Sequence, residues 1–329
     1  MAINLLGLTP HKVSRDLSGY ITYIYGPPKT GKTTLGSQMP KPLLLAFERG
    51  YNAIPGIIAQ DITTWAEVKQ VVRELKKPEV KETFSTIIVD TVDIAATLCD
   101  KYVCSQNDVD TISKIPYGQG WNLLKKEFEN IFREITQLGY AVYFISHAKE
   151  GSFKRQDGSE YTLIRPSVAN TYNSIVENMA DLYGYMHPVV DDDGVSKIKI
   201  TLRSADGTIS AGGRFKYIAS EIDGNYEALV KALNDAIDKE AAQTDNKFVT
   251  NEKMVVEGPT VYDFDALMKE FNEITQKIAS DNPDSFNTDW APKITQIIER
   301  YLGKGHKVNQ ATRDQAEMIY MIVSDLKEL

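Results

Sequence analysis

The sequence has little cysteine and no long apolar run, and both absences narrow the classes of protein that it can encode. Its 329 residues include two cysteines, Cys99 and Cys104, too few for a disulfide framework or a zinc site. No apolar stretch approaches the ~18 residues that a membrane helix requires. The N-terminus also lacks the basic lead and apolar core of a secretory signal. We therefore expect a cytoplasmic protein with reduced thiols and no membrane contact.

Basic residues are fewer than acidic ones, and histidine is scarce. Lysine and arginine number 37 against 45 acidic residues, which gives a formal net charge of −8. This balance excludes a protein whose whole surface attracts nucleic acid, so any such contact must be local. The four histidines show no HExxH or paired spacing, and we expect no zinc hydrolase site.

Strand-like and helix-like patterns alternate over the first 236 residues, which is typical of an α/β sheet. Predicted strands lie at 21–25, 43–47, 85–90 and 141–146, helices at 33–38, 65–75 and 121–138, and hairpins at 152–166 and 181–203. The strands are apolar on both faces, which predicts a mainly parallel, buried central sheet. Residues 1–236 form the predicted domain, 237–260 a polar linker, and 261–329 a small C-terminal helical module of three amphipathic helices.

The segment "GPPKTGKTT" follows the first predicted strand and opens the first predicted helix. Its residues satisfy the spacing G-x-x-x-x-G-K-[ST], in which backbone amides and a helix N-terminus surround a phosphate. The lysine is a point charge for the β- and γ-oxygens, and we expect ATP as the ligand. The predicted phosphate contacts are Gly26, Lys29, Thr30, Gly31, Lys32, Thr33 and Thr34.

A metal-side carboxylate is expected at the end of a buried strand in such a site. Asp90 ends the apolar run "TIIVD", and we predict that it and the Thr33 hydroxyl hold Mg²⁺. Thr91 and Asp93 follow closely and either assist the site or cap the next helix at the surface.

Hydrolysis also needs a group that orients or deprotonates the attacking water. Glu48 lies just past the second predicted strand, where it would face the γ-phosphate, and it is the candidate base. The alternative is a surface glutamate paired with Arg49. His147 ends the fourth strand and is the candidate γ-phosphate sensor, against a histidine that only satisfies the strand-end turn.

This order of parts resembles the RecA core. The motifs "GPPKTGKTT", "IIVDTVD", "YGQGW" and "ISHAKE" are similar to those of phage-encoded RecA-like nucleotide-binding proteins, over residues 15–235. The resemblance implies a RecA-like P-loop NTPase core and an ATPase of phage recombination or replication, acting on single-stranded DNA in the host cytoplasm. Thr91, not glutamate, follows Asp90, so the adjacent glutamate of many AAA+ and ABC-type ATPases is missing.

The resemblance also implies partners and further site residues. The segment from Lys149 to Tyr172 matches the DNA-contacting loop, in which Phe153 and Tyr161 are interleaved with basic residues; a plain β-hairpin is the alternative. The implied DNA contacts are Lys149, Lys154, Arg155 and Arg165. Such ATPases form rings or filaments, in which a cation of one subunit completes the site of the next. Arg214 is the first candidate for this cation among Arg203, Arg214 and Lys216, and an ordinary surface arginine is the alternative. A single-strand DNA-binding protein is a further candidate partner.

Several functions remain open at this point. Recombination or annealing on single-stranded DNA is the leading hypothesis, and a helicase-like or loader ATPase of the replisome is the first alternative. A nucleotide-dependent adaptor switch without significant turnover is another. A P-loop phosphotransferase is a remote one, because the hairpin at 152–166 has only Arg155 and Arg165 to form a lid.

Overall fold

Short apolar runs form a central sheet in the larger of two units of the chain. The computed structural model describes residues 6, 8–154, 157–191, 193–245, 247–254 and 262–329, and the units divide at residue 258. The strands are β1 (Val13–Ser14), β2 (Ile21–Gly26), β3 (Pro42–Ala46), β4 (Ala59–Asp61), β5 (Thr86–Asp90), β6 (Ala141–Lys154), β7 (Glu160–Pro166), β8 (Leu182–Val190), β9 (Ser196–Thr201), β10 (Gly212–Gly213), β11 (Glu221–Asp223) and β12 (Val249–Thr250).

The described residues also form α-helices, several of which show the apolar periodicity predicted from the sequence. They are α1 (Lys32–Ser37), α2 (Trp65–Glu74), α3 (Pro78–Thr83), α4 (Val92–Gln106), α5 (Gln119–Gln137), α6 (Asn170–Met179), α7 (Tyr226–Ala241), α8 (Phe264–Asp281), α9 (Ala291–Leu302) and α10 (Ala316–Lys327). The predicted capping box at the start of α2 is confirmed, because the side chains of Thr64 and Glu67 each accept a hydrogen bond from the other's backbone amide.

The central sheet has the order β11-β9-β8-β2-β6-β5-β3-β4. Its strands from β8 to β4 are parallel, while β9 and β11 join antiparallel at one edge. The prediction of an α/β fold with a mainly parallel central sheet is therefore confirmed. Parallel pairing places the carboxyl ends of all these strands along one edge of the sheet.

Both faces of the sheet are buried. One face packs against α2, α4, α5 and α6, where the rings of Trp65, Phe128 and Phe132 lie together and Phe132 contacts the strand residue Phe144. The other face packs strand residues such as Ile88 against residues of α1 and α7. Such burial on both faces explains why the strands read as continuous apolar runs in the sequence.

The smaller unit contains the three helices predicted near the C-terminus, α8, α9 and α10. Ile319, Ile322 and Val323 of α10 are its most buried residues, and they share a core with Ile294 and Ile297 of α9. Over the described residues of both units, no helix is long and apolar enough to cross a membrane.

The observed elements differ from the predicted ones in several places. β6 continues to Lys154 and forms the first strand of the hairpin, because its pairing with β7 begins at Ala148. The segment predicted as a linker starts inside α7, where Ile237 is buried, and its residues 249–250 pair with β1. The helices α3, α4, α6 and α7 were not predicted from the sequence pattern.

Gly26, the last residue of β2, provides a test of how closely the strands pack. A Cβ atom at this position would lie 2.0 Å from the carbonyl oxygen of Met186. We expect Gly26→Ala to lower the free energy of unfolding by about 2 kcal/mol, since overpacking forces the backbone to move. Gly50→Ala is the matched control, because its Cβ would meet no atom within 4 Å. Denaturant melts of both variants with equal midpoints would contradict the prediction.

Candidate functional site

The residues predicted to bind phosphate and metal, together with Glu48 and His147, lie at the carboxyl edge of the parallel strands. Gly26 is opposite His147 where β2 pairs with β6. Asp90 is opposite Ile145 of β6 and Ala46 of β3. One edge of the sheet therefore carries the loop after β2, Asp90, His147 and the residues that follow β3. This arrangement is the one expected from the sequence.

The loop after β2 forms a backbone cradle. Gly31 has a φ of 92° and Lys29 a φ of 65°, both in the left-handed region. Alternation of this kind lets successive amides converge on one point, which is the geometry of an anion-binding nest. α1 begins at the next residue, so its N-terminus is directed toward the same place.

Lys32 is buried in this cradle. Its side chain donates hydrogen bonds to the carbonyl oxygens of Gly26 (2.9 Å) and Pro27 (2.7 Å), and the residue is 6% exposed. Burial lowers the pKa of the ammonium, and the nearby carboxylates of Asp90 and Glu48 oppose that change. A cation so desolvated gains strongly from a polyanion that binds beside it.

Thr33 and Asp90 form an oxygen pair suited to a hard cation. The Thr33 hydroxyl donates to Asp90 Oδ2 at 2.6 Å. Burial raises the pKa of Asp90, and the Thr33 hydrogen bond opposes the rise. Among the described residues no group of three or more His, Cys, Asp or Glu could hold a metal. A hydroxyl and one carboxylate fit Mg²⁺, which keeps several waters and binds together with substrate phosphates.

Glu48 is fixed at this edge by both backbone and side-chain contacts. The amides of Phe47 and Glu48 donate to the Asp90 carbonyl at 2.8 and 3.2 Å. Its carboxylate accepts a hydrogen bond from the Thr91 hydroxyl at 2.8 Å and lies 3.4 Å from Nε2 of His147. Glu48 is thus held toward the Asp90 side of the site, and no ion pair with Arg49 is found within the described ranges.

Thr91 and Asp93 are the residues whose contribution the sequence left open. Thr91 is 1% exposed and donates a hydrogen bond to Glu48, so the residue that follows Asp90 orients a glutamate located just after β3. Asp93 accepts from the backbone amide of His147 at 3.3 Å and from the Ser167 hydroxyl. No sequence signal pointed to Ser167, because its contact depends on the pairing of β6 with β7.

The hairpin of β6 and β7 rises directly from His147. Its register places Phe153 opposite Tyr161 and Lys149 opposite Arg165. Because side chains alternate along strands, these four residues lie on one face. The ring centroids of Phe153 and Tyr161 are 5.9 Å apart, and the Arg165 guanidinium lies 5.0 Å from the Phe153 centroid.

The predicted DNA contacts differ in what they bind within the chain. Lys149 donates to the carbonyl oxygen of Ser167 at 2.7 Å, and burial lowers the pKa of its ammonium. It therefore stabilises the hairpin base, the end formed by His147 and Ser167 where the hairpin meets the sheet. Lys154 forms an exposed ion pair with Glu160 at 3.7 Å. Arg155 lies outside the described residues.

Arg214 lies away from the chain's own phosphate site. Its guanidinium pairs with Asp181 at 2.9 Å, next to Leu182, which is opposite Thr22 near the start of β2. The structure therefore places Arg214 at the amino end of the strands, whereas the phosphate loop, which is the loop after β2, lies at the carboxyl end. Its function as a finger for a neighbouring subunit stays a prediction.

Comparison with known proteins gives a family and one near-full-length relative. The family described as AAA domain matches residues 18–215. The SPbeta prophage-derived uncharacterized protein YorG of Bacillus subtilis (strain 168) is 33% identical over 338 residues, covering 100% of this chain and 99% of that protein. A KaiC-like protein, PH0186 from Pyrococcus horikoshii OT3, superposes with a TM-score of 0.35 at 11% identity, over 60% of this chain and 90% of that one.

The oxygen pair of Thr33 and Asp90 leads to a prediction about metal-dependent binding. We expect Asp90→Asn to leave the thermal midpoint of the protein without ligand unchanged or raised, since it removes a buried charge. The same variant should lose the added stability from ATP with Mg²⁺, about 2.7 kcal/mol at 100 times the Kd in the wild type. Thermal melts with and without both ligands check this, with the exposed Asp110→Asn as control. An undiminished ligand shift in Asp90→Asn would contradict the assignment.

Proposed function

The chain belongs to the AAA-domain family, and we propose that it is a Mg²⁺-dependent ATPase that acts on single-stranded DNA. The observation that carries the proposal is the meeting of Lys32, Asp90 and Glu48 at one edge of the sheet, with the Glu48 carboxylate oriented by Thr91. A buried cation, a metal-side oxygen pair and an oriented acid are the parts that hydrolysis of a phosphoric anhydride requires.

Each residue has a distinct task in this proposal. The amides of residues 29–33 and the Lys32 ammonium bind the phosphate chain and stabilise negative charge. Thr33 and Asp90 would hold Mg²⁺, which neutralises charge on the phosphate oxygens when bound. Glu48 would orient and accept a proton from water, and His147, 3.4 Å from it, would respond to the γ-phosphate.

Hydrolysis is favoured over the two other uses of a bound nucleotide. A pure adaptor switch needs no oriented acid, yet Glu48 is bonded by Thr91 and lies within 3.4 Å of His147. A phosphotransferase needs a lid with cations that reach the phosphate; of the described lid residues, Arg165 instead contacts Phe153 and Asn170.

The DNA part of the proposal is supported by the hairpin face that carries Phe153, Tyr161 and Arg165. Aromatic rings stack on bases of any sequence, and a neighbouring arginine adds a cation for the backbone. The opposite face carries Glu150, Lys154 and Glu160, whose charges oppose a second contact with phosphate. The chain as a whole is acidic, so a local aromatic and basic face is the form of contact that its charge permits.

Assembly and biological setting complete the proposal. Arg214 is exposed at the edge opposite the phosphate loop, so head-to-tail packing of subunits could bring it to a neighbour's site. Contacts of this heterologous kind generate rings or filaments. The prophage origin of the Bacillus subtilis relative supports a task in phage recombination or replication, in the host cytoplasm, with annealing proposed ahead of helicase or loader activity.

The position of Glu48 leads to a direct test of hydrolysis. We expect Glu48→Gln to reduce ATP turnover by about 10²- to 10⁴-fold, the usual contribution of a general base, while ATP binding persists. Phosphate release and equilibrium binding are measured in parallel, with the exposed Glu79→Gln as control. If wild-type protein binds ATP but shows no turnover, the adaptor switch replaces the ATPase. Equal turnover in Glu48→Gln and wild type would remove Glu48 as the base.

The hairpin face leads to a test of DNA contact. We expect Phe153→Ala combined with Tyr161→Ala to weaken binding of an oligothymidylate, by about 1–3 kcal/mol for each lost base stack. Ser152→Ala with Thr162→Ala changes the opposite face of the same strands and is the matched control. Fluorescence anisotropy at several salt concentrations measures the affinity, which should fall as salt rises. Equal weakening in both double variants would argue against a stacking face.

A further inference from the structure

Asp93 joins the nucleotide site to both strands of the hairpin. It lies in the first turn of α4, the helix that follows Asp90. One carboxylate oxygen accepts from the amide of His147 in β6 at 3.3 Å, and the other accepts from the hydroxyl of Ser167, just after β7. A single side chain therefore contacts the points where the hairpin leaves the sheet and returns to it.

The two strand ends at this base are also tied to each other. The Ser167 amide donates to the His147 carbonyl at 2.8 Å, and the Lys149 ammonium donates to the Ser167 carbonyl at 2.7 Å. From Ala148 to Lys154 the ladder between β6 and β7 is continuous. Because of these bonds, a displacement of the base moves both strands together.

The hairpin has a second attachment above the base. The Tyr25 hydroxyl lies 3.0 Å from the Ile164 carbonyl oxygen and 2.8 Å from that of Ser210. Ile164 also exchanges backbone hydrogen bonds with the segment at 208–210. This attachment holds the hairpin to β2 and to the segment at 208–210.

His147 brings the nucleotide site into contact with the same base. Its Nε2 faces Glu48 at 3.4 Å, while its Nδ1 is buried and has no hydrogen-bond partner among the described residues. Its backbone amide meets Asp93. The side chain of His147 thus faces the phosphate site, and its main chain is held by the residue that also holds Ser167.

We propose that Asp93 is a positioning residue that couples the state of the γ-phosphate to the orientation of the hairpin. The inference rests on the proposed nucleotide site but does not require that DNA be the ligand of the hairpin. A γ-phosphate that engages Glu48 and His147 shifts the His147 backbone, and Asp93 transmits the shift to Ser167 and the returning strand. Without Asp93, the two strand ends lose their common link to α4.

Hydrogen exchange of the hairpin amides tests this coupling without DNA. Wild-type protein is compared with Mg²⁺ and either ATPγS or ADP, and we expect the amides of residues 148–154 and 160–165 to exchange at different rates in the two complexes. Asp93→Ala should abolish that difference while nucleotide still binds. Asp93→Asn should retain part of it, because the amide oxygen can still accept one of the two hydrogen bonds.

Two further variants separate coupling from general loss of structure. Ser167→Ala removes only the second donor to Asp93, and we expect a smaller difference between the ATPγS and ADP complexes. Ser159→Ala removes a bond to Asp157 at the hairpin tip and should behave as wild type. A nucleotide-dependent difference that persists in Asp93→Ala, or its absence from wild type with nucleotide bound, overturns the inference.

Binding of an oligothymidylate in the same two complexes distinguishes this inference from the proposed function. In the wild type we expect the Kd for the oligothymidylate to differ between the ADP and ATPγS complexes by about 5- to 150-fold, the usual size of such coupling. Asp93→Ala should bring the two Kd values close to each other. No oligonucleotide binding by wild type would reject the DNA part of the proposed function, and the exchange result would still decide the role of Asp93.

Discussion

The parallel pairing of β2, β6, β5 and β3 is the constraint on which the site depends. Its register places Gly26 opposite His147, and Asp90 opposite Ile145 and Ala46. Two amides at the end of β3 then donate to the Asp90 carbonyl, which brings Glu48 to the same place. Residues far apart in the chain meet because every parallel strand ends at one edge. The helices on both faces keep that edge in register by burying the strands.

The electrostatics of the site follow from its burial. Lys32 and Asp90 are both 6% exposed, and burial alone disfavours the charged form of each. Their opposite charges, the carbonyl oxygens of the loop and the Thr33 hydroxyl offset part of that penalty. The arrangement places a desolvated cation and an oxygen pair where a metal-bound polyphosphate would satisfy both. The AAA-domain match covers residues 18–215, which includes all of these groups.

The hairpin shows how a surface can depend on a buried site. β6 is one continuous strand that begins in the core, passes His147 at the site and ends in the exposed hairpin. Asp93 ties that strand and the returning strand to the helix after Asp90. The backbone of β6 and the carboxylate of Asp93 therefore connect the sheet edge that carries the phosphate site to the hairpin face that carries Phe153 and Tyr161. The C-terminal unit, by contrast, has its own apolar core around Ile319 and Ile322.

The sequence by itself determined the features that depend on neighbours within a few residues. The spacing from Gly26 to Thr33, the capping box of Thr64 and Glu67, and the apolar runs that end at Asp90 and His147 specify their local structure directly. Only the tertiary structure decided that Thr91 orients Glu48, that Lys149 binds the hairpin base and that Asp181 pairs with Arg214 at the opposite edge. It also decided that residues 249–250 pair with β1. These partners are chosen by strand register and burial over long separations, and a charge or hydroxyl in the sequence has the same local signature whichever partner it meets.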